Sequence, residues 1–234
     1  MKAIDRIDQH YRSIKESPQN EIQHDYPFQT SFVDCMGLRT NFTYTDRINS
    51  NLVFDAVSIS EAKDRLIVKF VRQYSEDAHR FLDDLGYAPT LRAINSISGG
   101  WKMIVMDYSR YTELSKVTAE LDNITKLAIK QRVKEIIEKL HAKELVHGDI
   151  RQANILVDRT TLGSPEGVSL QLIDFDWAGP AGAVKYPMRL NTKTVRRPKH
   201  VAGGKLITKS DDLEMIDLLF EESLWVSAFQ QVLV

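Results

Sequence analysis

The sequence predicts an α+β fold: a small antiparallel β-sheet carrying one helix, followed by a mainly helical part. Three observations predict it. Short β-branched and aromatic runs crowd residues 42–106, a helical periodicity interrupts them after Ser75, and the longest helical pattern follows over 121–140.

The elements follow in order. Ile4, Ile7, Tyr11 and Ile14 recur at helical spacing among charges, which predicts an amphipathic helix over 1–17, with Pro18 and the polar stretch to Pro27 as its end and a linker. Residues 42–44 and 52–57 read as strands around a polar turn at 46–51 that holds Asn and Asp but no Gly. Residues 66–71 form a third, buried strand with Lys69 embedded among apolar neighbours. Ser75 then offers an N-cap hydroxyl to a helix marked by Ala78, Phe81, Leu82 and Leu85, and Gly86 is its stop. Two strands, 91–97 and 101–106, are joined by Ser98-Gly99-Gly100. The long helix takes Leu121, Ile124, Leu127, Ile136, Ile137 and Leu140 as apolar positions. Short strands at 155–157 and 170–173 follow, then an irregular segment and a last helix over 211–220. The chain has no internal repeat and no low-complexity tract.

Bulk properties narrow the function classes. At 234 residues the chain suits one domain or two small lobes with a real core. A net charge of -1 gives no global field to recruit nucleic acid or an anionic membrane. The one basic cluster, 193–200, is read as a solvated loop rather than a site for an anionic substrate, phosphate or nucleic acid. Cys35 is the only cysteine, so no internal disulfide forms, which fits a reducing compartment. Charges stand at Lys2, Asp5 and Arg6, where a signal peptide needs an apolar core, and no apolar run approaches the roughly 20 residues that span a bilayer. The expectation is an intracellular protein of cytoplasm or nucleus with no membrane role. The apolar tail, 224–234, packs on the domain or marks a partner surface; oligomeric state is left open.

The chemistry is concentrated in Val146-His147-Gly148-Asp149-Ile150-Arg151-Gln152-Ala153-Asn154 and in Ile173-Asp174-Phe175-Asp176. Phosphoryl transfer from a nucleotide needs such a set: one carboxylate to take or orient the proton of an attacking hydroxyl, and an amide and a second carboxylate to hold magnesium on the phosphates. The pattern resembles the catalytic and magnesium loops of the protein-kinase-like superfamily. It is nearest in appearance to the kinase-like domain proteins of mushroom-forming fungi. The resemblance covers roughly residues 40–220. It implies a bilobal protein-kinase-like fold: an N-terminal helix and linker over 1–27, an N-lobe over 28–107, and a reduced, mainly helical C-lobe over 108–234, with ATP between the lobes.

The same resemblance assigns roles residue by residue. Asp149 is the expected catalytic base, and Arg151 is placed to brace the transferring phosphate. Asn154 and Asp174 are the expected magnesium ligands. Lys69 would bind the α and β phosphates, held by an acid on the following helix, either Glu76 or Asp77. A lysine inside an apolar strand faces solvent or has a buried anionic partner, because an unpaired buried charge is costly. Met106 would stand at the back of the adenine pocket, with the carbonyl of Asp107 and backbone groups of Tyr108 and Ser109 facing the base edge. His147 is expected to brace the loop by hydrogen bonding.

Three departures from the family matter. Residues 43–54 contain no glycine, so no Gly-rich loop covers the phosphates. The catalytic loop reads His-Gly-Asp where protein kinases usually carry His-Arg-Asp, and Asp176 replaces a glycine; both are familiar in aminoglycoside- and choline-kinase-like enzymes. Little chain follows Asp174, and no Ala-Pro-Glu motif is present. The resemblance therefore implies an ATP- and magnesium-dependent phosphotransferase, first of protein Ser or Thr hydroxyls. A small-molecule kinase and a pseudokinase scaffold are the alternatives.

Overall fold

Strand parity organises the first half of the molecule. The computed structural model describes residues 27–48, 52–164 and 167–221, so the helix expected over 1–17, the end of the polar turn and the apolar tail lie outside the described residues. From Ser31 onward the chain is one unit. Its larger sheet contains β1 (Ser31–Val33), β2 (Arg39–Arg47), β3 (Val53–Ser58), β4 (Arg65–Val71), β5 (Leu91–Ile97) and β6 (Trp101–Asp107), in the order β1-β2-β3-β4-β6-β5 and antiparallel throughout. β2 runs on through Asp46 and Arg47, which the sequence assigns to a turn, because a register shift after Tyr44 lets the extra residues pair.

Alternate side chains of a strand face opposite sides. Phe54, Ala56, Leu66, Val68 and Phe70 enter one core with Phe32, Phe42 and Tyr44. Its aromatic rings form a ladder, Phe32, Phe42, Tyr44, Phe54 and Phe70, with successive centroids 6.3, 5.1, 5.2 and 6.0 Å apart. The other parity class of β4 sends Ile67 to the second core and Lys69 into a cleft. The two edges of the sheet meet through Asn95, whose amide accepts from Val33 N and donates to Val33 O, both at 2.8 Å.

Helix α1 (Glu76–Asp84) starts where Ser75 accepts a bond from Ala78 N, and it turns Ala78, His79 and Leu82 inward. Gly86, at φ +76°, ends it in the conformation glycine adopts at least cost.

The second half holds β7 (Thr112–Glu113), α2 (Asn123–Ala142), β8 (Leu145–Val146), β9 (Ile155–Val157), β10 (Leu170–Leu172), β11 (Gly179–Pro180) and α3 (Lys209–Asp217). Strands β10, β9 and β7 form one small sheet, and β11 pairs with β8. Asp122 caps α2 by accepting from Thr125 N at 2.7 Å. The buried stripe of α2 is Ile129, Val133, Ile136, Ile137 and Leu140. Ile124 and Leu127, expected on that stripe, are 80% and 69% exposed, and Leu121 precedes the helix. At 3.6 residues per turn Leu127 falls nearly opposite Ile129, so the stripe starts later than the sequence suggests. Helix α3 begins two residues before Asp211 and ends at Asp217, because Thr208 and Asp211 form a capping box.

One continuous core joins the halves. Ala78, Leu82, Leu91, Ile104 and Met106 pack with Val133, Ile136, Leu140, Leu172 and Phe175. This α+β arrangement, a sheet with one helix followed by a part built on the long helix, is the one expected from the sequence.

Candidate active site

The loop that carries His147, Gly148 and Asp149 is hung from a buried carboxylate. Asp212, on α3, accepts from His147 N and Gly148 N at 2.8 Å each, and lies 3.0 Å from His141 Nε2. The two backbone donors therefore end on one anion, a charge-assisted arrangement. Gly148 has φ +82°, and a Cβ there would lie 2.9 Å from Ile207 Cδ1 and 3.2 Å from both Cβ and O of Trp177. Conformation and space together require glycine in the His-Gly-Asp sequence. His147 accepts from Asp149 N at Nδ1 (3.3 Å) and so donates from Nε2 to the Ile173 carbonyl (3.2 Å). That is the bracing role expected of it. Its ring also lies 5.3 Å from Phe175, which stacks on His79 at 4.7 Å and 15°.

Asp149 stands at the centre of a donor set. Its Oδ2 accepts from Arg151 Nε (3.0 Å) and Asn154 Nδ2 (2.9 Å), and its Oδ1 accepts from Arg197 Nη2 (2.8 Å). Asn154 Nδ2 also donates to the Asp149 carbonyl at 2.9 Å. The amide nitrogen of Asn154 is thus committed, and its oxygen remains for another partner.

Lys69 meets the loop of Asp174 and Asp176 directly. Its Nζ lies 2.5 Å from Asp174 Oδ1 and 2.7 Å from Asp176 Oδ1. Burial disfavours the charged lysine, but the two carboxylates outweigh it and hold its pKa above the ordinary value. Burial likewise works against ionised Asp174, and Lys69 overrides it, lowering that pKa. Asp176 goes the other way: burial and the neighbouring Asp174 charge raise it to about 7. Asp174 adopts φ +71°, a left-handed conformation uncommon outside glycine.

The expected pairing of Lys69 with Glu76 or Asp77 is corrected by this geometry. Both acids are exposed in the first turn of α1, and Glu76 bonds Arg80 at 2.7 Å. The physical reason is where the helix begins. Ser75 N donates to the Phe175 carbonyl at 3.1 Å, so the cap of α1 abuts the magnesium loop, and Lys69 takes its anions from that loop.

The hinge expectation is modified too. Met106 is buried in the shared core. Asp107 N donates to Thr90 O (2.9 Å) and Tyr108 N to Arg65 O (3.0 Å), so neither amide is left for a base edge. The Asp107 carboxylate holds Arg92 at 2.6 Å, the Arg65 guanidinium lies 3.5 Å over the Tyr108 ring, and Ser109 Oγ donates to Gln171. A cleft of about 580 Å³ gathers Lys69, Asp149, Arg151, Asp174 and Asp176 with Val53, Trp101, Trp177 and Lys185, and none of the four hinge residues lines it.

Sequence reasoning missed three residues at this site. Asp212 carried a faint signal, being an acid just before the apolar positions of a helix. Asp176 was read only as a departure from the family. Arg197 was assigned to a solvated loop, yet its side chain is 3% exposed and bonded to a residue 48 positions away, which no local pattern reveals.

Comparisons with known proteins agree with this architecture. The lipopolysaccharide kinase (Kdo/WaaP) family model matches residues 99–193, less than half of the chain, from the β5–β6 turn to beyond the magnesium loop. No curated protein sequence matches the chain. Among solved structures, the Cydia pomonella granulovirus kinase PK-1 is similar at 18% identity and a TM-score of 0.58, covering 76% of this chain and 66% of that one. The chain thus spans just under two thirds of that kinase. Vaccinia related kinase 3 is similar at 15% identity and a TM-score of 0.58, covering 87% of this chain and 71% of that one. The fold is protein-kinase-like.

Proposed function

We propose that this protein is an ATP- and magnesium-dependent phosphotransferase acting on a hydroxyl. The observation that carries the reading is convergence: Lys69, Asp149 and Asp174, from three distant parts of the chain, line one cleft. In the proposed reaction the acceptor oxygen bonds to the γ-phosphorus and the bond to the β,γ-bridging oxygen breaks, leaving its electron pair on ADP. The acceptor proton passes to Asp149. Arg151 and Lys69 supply positive charge to the phosphate oxygens.

The donor set suits magnesium, since an uncommitted amide oxygen of Asn154 and the carboxylate of Asp174 are hard ligands that leave positions for water and phosphate. When bound, the ion neutralises charge on the phosphates. Lys69 is already placed among the carboxylates, so its interactions redistribute when nucleotide enters.

Protein serine or threonine is the first acceptor class, as the resemblance to fungal kinase-like proteins implies. A small-molecule hydroxyl is the second reading. It is favoured by Gly148, which leaves no room for an arginine side chain, by Asp176, and by the match to a lipopolysaccharide kinase family. Titration with Mg-ATP, read as thermal stabilisation, tests the common premise. Stabilisation that Asp174→Asn makes magnesium-independent, with turnover lost in Asp149→Asn, is the expected result. No shift at millimolar Mg-ATP in folded protein makes the chain a pseudokinase instead. A screen of peptides against sugars and amino alcohols then separates the acceptor classes.

A further inference from the structure

We propose that Arg197 is a positioning residue that fixes the carboxylate of Asp149 from the segment following the magnesium loop. The inference rests on the phosphotransferase reading above.

The contact is a built one. Arg197 Nη2 donates to Asp149 Oδ1 at 2.8 Å, Nε donates to the Asn191 carbonyl at 3.2 Å, and the guanidinium lies 5.0 Å over the Trp177 ring. Asn191 in turn accepts from Lys193 N and Thr194 N at 3.1 Å each and donates to Thr194 Oγ1 at 2.7 Å. The loop is therefore folded around the residue that holds the guanidinium. Trp177 lies close to Gly148, where an added Cβ would come within 3.2 Å of its Cβ and O, so the platform under Arg197 adjoins the loop that carries Asp149. Arg197 Nη1 is buried with no hydrogen-bond partner among the described residues. An orphaned donor of this kind is costly, and such cost is expected at a position held for function rather than in a solvated loop.

Direction of approach separates positioning from obstruction. Asp149 lines the 580 Å³ cleft and Arg197 does not; Arg197 lines a neighbouring cavity of about 690 Å³ with Thr192, Arg196 and Pro198. The Arg197 side chain is thus not part of the cleft's lining, although it bonds a carboxylate that is. An ionised carboxylate has about four lone-pair sites. Arg151 and Asn154 fill those of Oδ2, and Arg197 fills one on Oδ1. One site on Oδ1 is left, and a carboxylate held at three points presents it in a single orientation to the acceptor hydroxyl. Arg197 spends its bonds on protein atoms and acts through Asp149.

The test is magnesium-dependent ADP release by the full chain, with water as acceptor and melting temperatures as folding controls. Arg197→Met is expected to lower kcat about 100-fold, the scale of a catalytic group misplaced by about an ångström, with KM for Mg-ATP changed less than about twofold. Arg197→Lys, which keeps a cation for Oδ1, is expected to recover about tenfold of that loss. Unchanged or faster turnover in Arg197→Met, or a KM that rises as kcat falls, overturns the inference while leaving the phosphotransferase reading intact. If Arg197→Met does not fold, Arg197→Lys decides alone: a kcat equal to that of the unsubstituted protein overturns it. Absence of ADP release from the unsubstituted protein overturns both.

Discussion

Gly148→Ala isolates the reason for the His-Gly-Asp sequence, and its cost has two separable parts. The backbone at this residue has φ +82°, and moving an L-residue with a Cβ into the left-handed region costs about 1–2 kcal/mol. The added methyl would also meet Ile207 Cδ1 at 2.9 Å and Trp177 Cβ and O at 3.2 Å, an overpacking worth about 1–3 kcal/mol. The sum is about 2–5 kcal/mol, or a melting temperature lower by roughly 4–20 °C at this chain length. Differential scanning calorimetry on Gly148→Ala, Ile207→Val and the double variant resolves the parts. Ile207→Val removes the Cδ1 atom, so the alanine costs less in that background by about 1 kcal/mol or more, while the conformational share stays. A Gly148→Ala protein melting within about 2 °C of the parent would refute the reasoning. An equal cost in both backgrounds would refute the Ile207 share of the steric part alone.

Other consequences follow from the same geometry. Asp212→Ala leaves the amides of His147 and Gly148 buried without an acceptor, and at about 1–3 kcal/mol for each the loss is about 2–6 kcal/mol in urea unfolding; a loss under about 1 kcal/mol means other groups hold the loop. Burial lowers the pKa of His79 from 6.5 to about 4, so the folded chain keeps this ring neutral while the unfolded chain protonates it. The stabilisation is present above about pH 6.5 and is lost as pH falls towards 4, about 3 kcal/mol over the interval. Unfolding measured at both pH values should show a shallower slope in His79→Leu than in the parent; equal slopes would remove His79 as the source.

Local rules carried much of the fold. The Ser75 cap, the Gly86 stop and the strands at β3 and β4 depend on residues a few positions apart, and they are where the sequence puts them. The apolar stripe of α2 was misread at its start because Ile124 and Leu127 are apolar yet exposed, and propensity does not say which way a helix is turned. The hinge was legible as a strand leading to the surface, but not the spending of its amides on Thr90 and Arg65.

What the sequence determined by itself was the order of elements, the place of Lys69 inside a buried strand, and the ordered set of Asp149, Asn154 and Asp174. Each is fixed by spacing along the chain. What only the tertiary structure decided was which charges meet. Lys69 joins Asp174 and Asp176 rather than Glu76 or Asp77, and Arg197 joins Asp149 across 48 positions. An ion pair forms between the groups that packing brings within about 3 Å, and that distance depends on the docking of α1, α3 and the loop after Asp176, which no local pattern contains.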